Sequence, residues 1–369
     1  MPIGLYLHIP FCATKCPYCD FYSVAATPAV WDAYTEMLCR TITDWGARAN
    51  ATADTLYFGG GTPSLLGAKR LTQLITTARQ AFSIPSTAEI TLEANPGDGL
   101  GDVFRAFAAA GGNRISLGMQ SVNDTHLQLL GRRHTTAQTE EAVRAAHAAG
   151  IHNLSLDLML GTPNQTSADV RRAVEYAAAW GATHLSAYLL KIEPNTPFGI
   201  QPPEIPNEDA TVALYHTAAD TAEQHGFMQY EISNFAKRGY ESRHNVKYWN
   251  LDPYLGLGPS AHSYFGGKRF AYPRELIAFT DGCEPQLESA EDESIAVGSP
   301  EEYAMLRLRL VEGLREKEYQ ERYGTPLPSL WRERASKLPA SLLICDEQGI
   351  RLTREGFLVS NAILSHLIT

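Results

Sequence analysis

What the chain lacks narrows it first. No apolar run approaches the roughly 18 residues that a membrane-spanning helix needs. The opening residues, Met-Pro-Ile-Gly, carry neither a basic stretch nor a long apolar core. No signal peptide is therefore expected, and the cytoplasm is the expected compartment. Positive charge is in deficit: 31 Lys and Arg against 41 Asp and Glu give a formal net charge of −10. A protein that grips nucleic acid regardless of sequence needs a basic face to neutralise phosphates. Nucleic acid is thus not an expected partner, although a local basic pocket stays open. Cysteine is scarce, with six in 369 residues. A chain this long buries a full core without disulfide or metal staples, and at about 150 residues per domain it holds roughly two domains or a little more. Its 44% hydrophobic and 20% charged residues are those of a soluble globular protein, not of a disordered one.

The few cysteines are unevenly placed. Cys12, Cys16 and Cys19 fall within eight residues, while Cys39, Cys283 and Cys345 are scattered. A disulfide framework would spread an even set through a short secreted chain. One tight, odd cluster instead reads as metal or cofactor ligation in a reducing compartment. Cys39 and Cys345 sit in apolar surroundings and read as inert core residues.

The first two-thirds alternates short apolar runs with helical patterns. Strands are expected at Ile3–Ile9, Thr55–Phe58, Glu89–Glu93, Arg114–Met119, Asn153–Met159 and His184–Leu190. Helices are expected at Ala29–Arg48, Ala68–Phe82, Gly101–Ala110, Thr136–Ala149 and Ala168–Trp180, the last capped by Thr166 or Ser167. Gly111, Gly150 and Gly181 stand where helices stop. Repeated strand–helix alternation argues for an α/β fold with a parallel sheet. Six units make a partial, TIM-like (β/α)6 barrel, whose chemistry sits at the C-terminal strand ends. A further helix at Asp209–His225 leads to Met228–Phe235. The expected divisions are a barrel over 1–235, a loop-rich extension over 236–280, an acidic linker over 281–299 and a small, mainly helical domain over 300–369. The linker is marked by Glu284, Glu288, Glu291, Asp292 and Glu293. The last domain carries a hairpin near Ile350–Thr353 and a final helix at Gly356–Leu367, for which a winged helix is one shape. Its ten acidic and ten basic residues are interspersed, which is a solvated surface and not a DNA-binding stripe.

Polar residues cluster just after the apolar runs. Cys12-Ala-Thr-Lys-Cys16-Pro-Tyr-Cys19 follows the first strand. Three thiolates on one loop hold three corners of a cubic iron–sulfur cluster and leave one iron open. The competing reading is a Cys₃His zinc site completed by His8. Gly59-Gly-Gly61-Thr62-Pro63 follows the second strand, either as a close approach to a ligand or as a plain tight turn. Glu93 and Gln120 end the third and fourth strands, Arg132 follows twelve residues later, and Asp157 interrupts an otherwise apolar strand. Each alone fits a structural salt bridge as well as a ligand contact. Four on successive strand ends of one barrel favour a site. Farther on, His244-Asn245-Val-Lys-Tyr248-Trp249 offers an imidazole and flat faces to a porphyrin, or is a packed loop with core aromatics.

The three-cysteine spacing, with Tyr18 before the third cysteine, resembles the signature of the radical S-adenosylmethionine (SAM) superfamily. The string Tyr6-Leu-His8-Ile-Pro10-Phe11-Cys12 is similar to the oxygen-independent coproporphyrinogen III oxidase group and its heme chaperone relatives, the HemW family. The resemblance runs in order from about Leu5 to the C-terminus. It implies a radical SAM barrel with a [4Fe-4S] cluster on Cys12, Cys16 and Cys19. It implies SAM held by Gly60, Gly61, Thr62, Glu93, Gln120, Arg132 and Asp157, with Tyr6 at the cluster and Lys191 contributing through its backbone. SAM cleavage would yield a 5′-deoxyadenosyl radical, with the electron from a donor such as flavodoxin or ferredoxin. The HNxxYW segment is a hallmark of the chaperone branch and implies heme as cargo, with His244, Asn245, Tyr248 and Trp249 as its contacts. The oxidases carry a long N-terminal extension and a cysteine two residues after the third ligand. Here Tyr6 lies near the start and Phe21 occupies that position. The expected function is therefore heme delivery to acceptor proteins, membrane-associated ones included. The alternatives are coproporphyrinogen III oxidation and methyl transfer to a heterocycle. Metal analysis of anaerobically reconstituted protein separates the two readings of the cysteine loop: iron, acid-labile sulfide and a brown colour are expected, whereas one zinc and no colour would overturn the cluster.

Overall fold

A computed structural model describes residues 1–97, 99–288 and 295–368. Glu291, Asp292 and Glu293 of the expected acidic linker lie outside the described residues.

Strands form where the apolar runs fall: β1 (Ile3–Ile9), β2 (Ala53–Gly60), β3 (Glu89–Ala94), β4 (Arg114–Gln120), β5 (Asn153–Leu160) and β6 (His184–Leu189). Side chains alternate across a strand, so each presents two different rows. In β1, Leu5, Leu7 and Ile9 face one way, against Gly4, Tyr6 and His8. In β5, Leu154, Leu156, Leu158 and Leu160 oppose Ser155, Asp157 and Met159. The aliphatic rows join the helices in the main core. The polar rows face the other side. Asp157 thus belongs to a regular polar row and does not interrupt an apolar strand.

The intervening helices span Pro28–Ala49, Gly67–Ala81, Leu100–Ala109, Thr136–Ala148, Ser167–Ala179 and Glu208–Gln224. Thr166 caps its helix in a reciprocal box with Asp169. Gly111, Gly150 and Gly181 follow three of them with φ of 99°, 81° and 84°, the left-handed conformation that ends a helix.

β1 to β6 are parallel neighbours in sequence order. The sheet is curled. Tyr188 of β6 acts electrostatically on Tyr57 of β2, although four strand spacings of about 4.8 Å would separate them on a flat sheet. The region after β6 departs from expectation. Met228–Phe235 is not one run but two short strands, β7 (Met228–Gln229) and β8 (Asn234–Ala236), with β8 antiparallel to both β7 and β6. The stretch 236–280, expected to be loop-rich, holds a helix at Arg243–Trp249, strands β9 (Tyr254–Leu257), β10 (His262–Phe265) and β11 (Lys268–Ala271), and a helix at Leu276–Thr280. These strands are four residues long, too short for alternation to show in a sequence rich in Gly and Pro. β9 runs parallel to β1 and extends the barrel wall by a seventh parallel strand, and β12 (Gln286–Leu287) pairs with β11 beyond it.

The C-terminal region packs around a second core that includes Leu251, Tyr303, Trp331, Ile350, Phe357 and Leu364. Its hairpin, β14 (Leu343–Asp346) with β15 (Gly349–Leu352), is joined by the two-residue strand β13 (Leu314–Arg315). The final helix is split at Val359 into Arg354–Leu358 and Ser360–Ile368.

Leu156 is fully buried between sheet and helices. Leu156→Ala is expected to cost about 2–5 kcal/mol in urea titrations. Thr166→Ala, which removes a cap, is expected to cost about 1 kcal/mol.

Candidate cluster and cofactor site

The cysteine loop leaves β1 and returns to it. Cys12 donates its N–H to the Val24 carbonyl at 3.1 Å, and Val24 donates to Pro10 at 2.8 Å. Phe11 anchors the base, fully buried and edge-on to Tyr34. All three cysteines are free and half-buried. Two already have polar company: Cys12 Sγ lies 3.6 Å from Thr62 Oγ1, and Arg132 Nη1 donates to Cys16 Sγ at 3.6 Å. A guanidinium and a hydroxyl beside clustered sulfurs suit an anionic iron–sulfur group. Burial pushes the Cys19 thiol up, a cost that metal binding removes by holding the thiolate.

His8 does not complete a zinc site. Its Nε2 donates to the Tyr22 carbonyl at 3.0 Å, so its Nδ1 accepts from the Tyr6 hydroxyl at 3.1 Å. Burial lowers its pKa to about 4 and keeps it neutral, with His262 and Arg274 adding to the effect. Among the described residues no three His, Cys, Asp or Glu side chains converge to hold one ion.

The glycines after β2 are used by the protein itself. A Cβ on Gly61 would lie 2.6 Å from the Phe11 carbonyl oxygen. Gly61 instead donates to Ile9 at 2.9 Å, Thr62 donates to Phe11 at 2.7 Å, and Gly60 donates to Glu93 Oε2 at 3.2 Å. The close approach is therefore to the cysteine loop and to Glu93.

Arg132 is engaged on every side. Besides Cys16 it donates to Tyr18 Oη at 3.4 Å, to Asn95 Oδ1 at 2.5 Å and to the Gly118 carbonyl at 2.7 Å. Gly118 makes room for it, since a Cβ there would lie 2.6 Å from Arg132 Nη2. Gln120 is buried in the left-handed region, at φ 62°, and among the described residues its Oε1 accepts no hydrogen bond. An unmatched buried acceptor at a strand end suits a ligand donor.

Glu93 and Asp157 face the barrel interior. Glu93 accepts from Tyr57 Oη at 2.8 Å, and Asp157 accepts from Ser116 Oγ at 3.1 Å. Burial raises the Glu93 carboxyl to about 7, opposed by the Tyr57 bond and helped by Asp157. Burial raises Asp157 to about 6, opposed by Ser186 and Ser116. Lys191 points its ammonium outward to Glu193 at 2.7 Å.

Two cavities flank the cysteine loop. One, about 340 Å³, reaches Cys16, Thr62, Asn95 and Arg132. The other, about 740 Å³, reaches Tyr6, Tyr18, Cys19, Tyr188, Lys191 and Tyr248. Tyr188 is exposed into this second cavity.

The HNxxYW segment lies at the opposite end of the strands. Ser242 caps its helix, accepting from the Asn245 N–H. Glu89, the first residue of β3, accepts from the Arg243 and His244 N–H groups at 3.0 Å each. His244 is 1% exposed, and its two ring nitrogens pair with Thr55 Oγ1 and Tyr248 Oη at 2.8 Å each. As placed, it offers no free lone pair to iron. Asn245 and Trp249 lie on the same helix and are half-buried. Tyr248 alone of the four lines the large cavity.

A family model for the radical SAM superfamily matches residues 6–177, and one for the HemN C-terminal domain matches residues 299–359. The chain is 32% identical to the heme chaperone HemW of Haemophilus influenzae, across 100% of this chain and 98% of that protein. The chain belongs to the HemW family. To HemW of Escherichia coli it is 38% identical, across 84% of this chain and 83% of that protein. Coproporphyrinogen III oxidase (HemN) from Escherichia coli has a similar structure, with a TM-score of 0.82 at 22% identity, covering 100% of this chain and 90% of that one. The shared fold is thus that of HemN, and the sequence relationship is to HemW.

Several residues around the cysteine loop of this HemW-family chain have no signal in spacing. Asn95 bridges Thr62 and Arg132, donating to Thr62 Oγ1 at 2.8 Å. Tyr57 holds Glu93, and Ser116 and Ser186 hold Asp157. The Leu-Glu-Ala-Asn-Pro-Gly string contains Asn95, but only the fold brings it to Arg132.

The raised carboxyls set a pH dependence. Both bind protons more tightly folded than unfolded, so their contribution is complete below the ordinary carboxylate range and lost as pH rises through about 6 to about 7. The buried histidines, held neutral, act in the opposite direction over the same window. The carboxyl effect is therefore read as a difference: the thermal midpoint of cluster-free wild type relative to Glu93→Gln is expected to fall from about pH 5 to about pH 8. A difference that stays constant with pH would assign the dependence to other groups.

Proposed function

We propose that this chain binds heme and passes it to acceptor proteins. In this reading Cys12, Cys16 and Cys19 hold a [4Fe-4S] cluster with SAM beside it. The observation that carries the reading is a loop of three free thiols, of which Cys19 lines a 740 Å³ cavity, in a chain similar over its full length to a heme chaperone. When bound, the cluster and SAM supply one-electron chemistry, with the electron from a flavodoxin or ferredoxin.

The chain's own residues do the rest. Arg132 fixes Tyr18 and Cys16 and brings positive charge to the sulfurs. Gln120 offers its unpaired oxygen to a SAM donor, while Glu93 and Asp157 present carboxyls to its ammonium and ribose. Gly60, Gly61 and Thr62 carry the wall, with their amides already taken. Tyr6 and the Lys191 backbone complete the SAM pocket. The acceptors are proposed to be cytoplasmic or membrane-associated; among the described residues no helix is long and apolar enough to cross a membrane.

The test uses anaerobically reconstituted protein. It is expected to transfer heme to an apo-acceptor and to give little vinyl product from coproporphyrinogen III. Robust decarboxylation without heme transfer would overturn the reading in favour of an oxidase. S-adenosylhomocysteine formation on a heterocycle would favour a methyltransferase.

A further inference from the structure

The heme-binding reading leaves the iron without a ligand, because His244 is buried with both nitrogens occupied. The large cavity presents two histidines, His8 and His262. His8 is likewise occupied on both nitrogens.

His262 differs in each respect. It opens β10, just beyond the parallel wall, and its side chain is 60% exposed. Its Nδ1 pairs with the Glu288 carboxylate. A carboxylate can only accept here, so in the neutral imidazole Nδ1 carries the hydrogen and Nε2 the lone pair. Among the described residues no partner is found for Nε2. A histidine that gives one nitrogen to a carboxylate has its tautomer, orientation and basicity set for a metal on the other. This is the arrangement of an imidazole ready to ligate iron.

The surroundings suit a flat, dianionic porphyrin. Tyr22, Tyr254 and Phe21 line the same cavity, and Phe21 is 67% exposed. Arg274 stands on the same wall and donates to the Asp20 carbonyl at 2.9 Å. No carboxylate neutralises it among the described residues, so its guanidinium is available to a propionate. His262 and Arg274 are near enough to His8 to disfavour its cation together, which places both at one edge of the cavity.

Building on the heme-binding reading, we propose that heme docks in the 740 Å³ cavity with His262 Nε2 as axial ligand, Glu288 as the residue positioning that imidazole, and Arg274 as a propionate anchor. The ligand then lies beside the cysteine loop and not at the His244 end of the barrel.

Ferric heme is titrated into the full-length protein and followed by Soret absorbance and ferric EPR. Wild type is expected to bind with a nitrogen-ligated spectrum. His262→Ala is expected to weaken binding at least tenfold, and added imidazole is expected to restore the wild-type spectrum. Glu288→Gln is expected to keep binding but shift the reduction potential of the bound heme. Arg274→Ala is expected to weaken heme binding more than that of a heme dimethyl ester. Unchanged spectrum and affinity in His262→Ala, or a loss that imidazole does not rescue, would overturn the assignment while leaving heme binding intact in the wild type. Failure of the wild type itself to bind heme would instead refute the heme-binding reading.

Discussion

The approach of residues 59–62 to the end of β1 is the constraint on which the site depends. Two backbone bonds, from Gly61 and Thr62 to Ile9 and Phe11, tie the second strand to the base of the cysteine loop. A single Cβ at Gly61 would push against the Phe11 carbonyl. The same segment passes Thr62 Oγ1 to Cys12 and to Asn95, and Asn95 passes on to Arg132 and so to Cys16 and Tyr18. Four strand ends therefore meet on one loop through short, directional contacts. Their positions are fixed before any cofactor arrives, which lowers the ordering cost of binding it.

The polar rows facing the barrel interior have a cost that the aliphatic rows offset. Tyr6, Tyr57, Glu93, Ser116 and Asp157 share an enclosed space where charge is disfavoured. Glu93 and Asp157 respond by holding protons well above the usual carboxylate range. Arg114 sits at the base of the same interior, 1% exposed, with Nε and Nη1 unmatched among the described residues. Such an interior stabilises the fold less than an apolar one would, and natural sites accept that cost for function.

The helix at Arg243–Trp249 shows how a motif and its role can separate. Glu89 caps its first two amides from β3, and His244 stacks on Tyr57 at 5.1 Å between ring centroids. The segment closes the end of the barrel remote from the cysteines. Its imidazole hydrogen-bonds Tyr248, and Tyr248 reaches the large cavity. The motif thus shapes the cavity from behind. Both readings of the segment were open from residue types alone. Only burial and hydrogen bonding show that the histidine is part of the packing.

Much of the barrel was legible in the sequence because local signals carry it. Apolar runs of four to seven residues, Thr166 before its helix and glycines after helices are written in adjacent residues, and β1 through β6 lie where they indicate. The cysteine loop was legible for the same reason, since its ligands lie within eight residues. What adjacency cannot express is which residues converge from far apart. β9 joins β1 across some 250 residues of chain, Asn95 meets Arg132, and His262 meets Glu288. The sequence by itself determined the strand–helix alternation and the three thiols. The tertiary structure decided which histidine keeps a free nitrogen, because that depends on partners that only the curled sheet brings within reach.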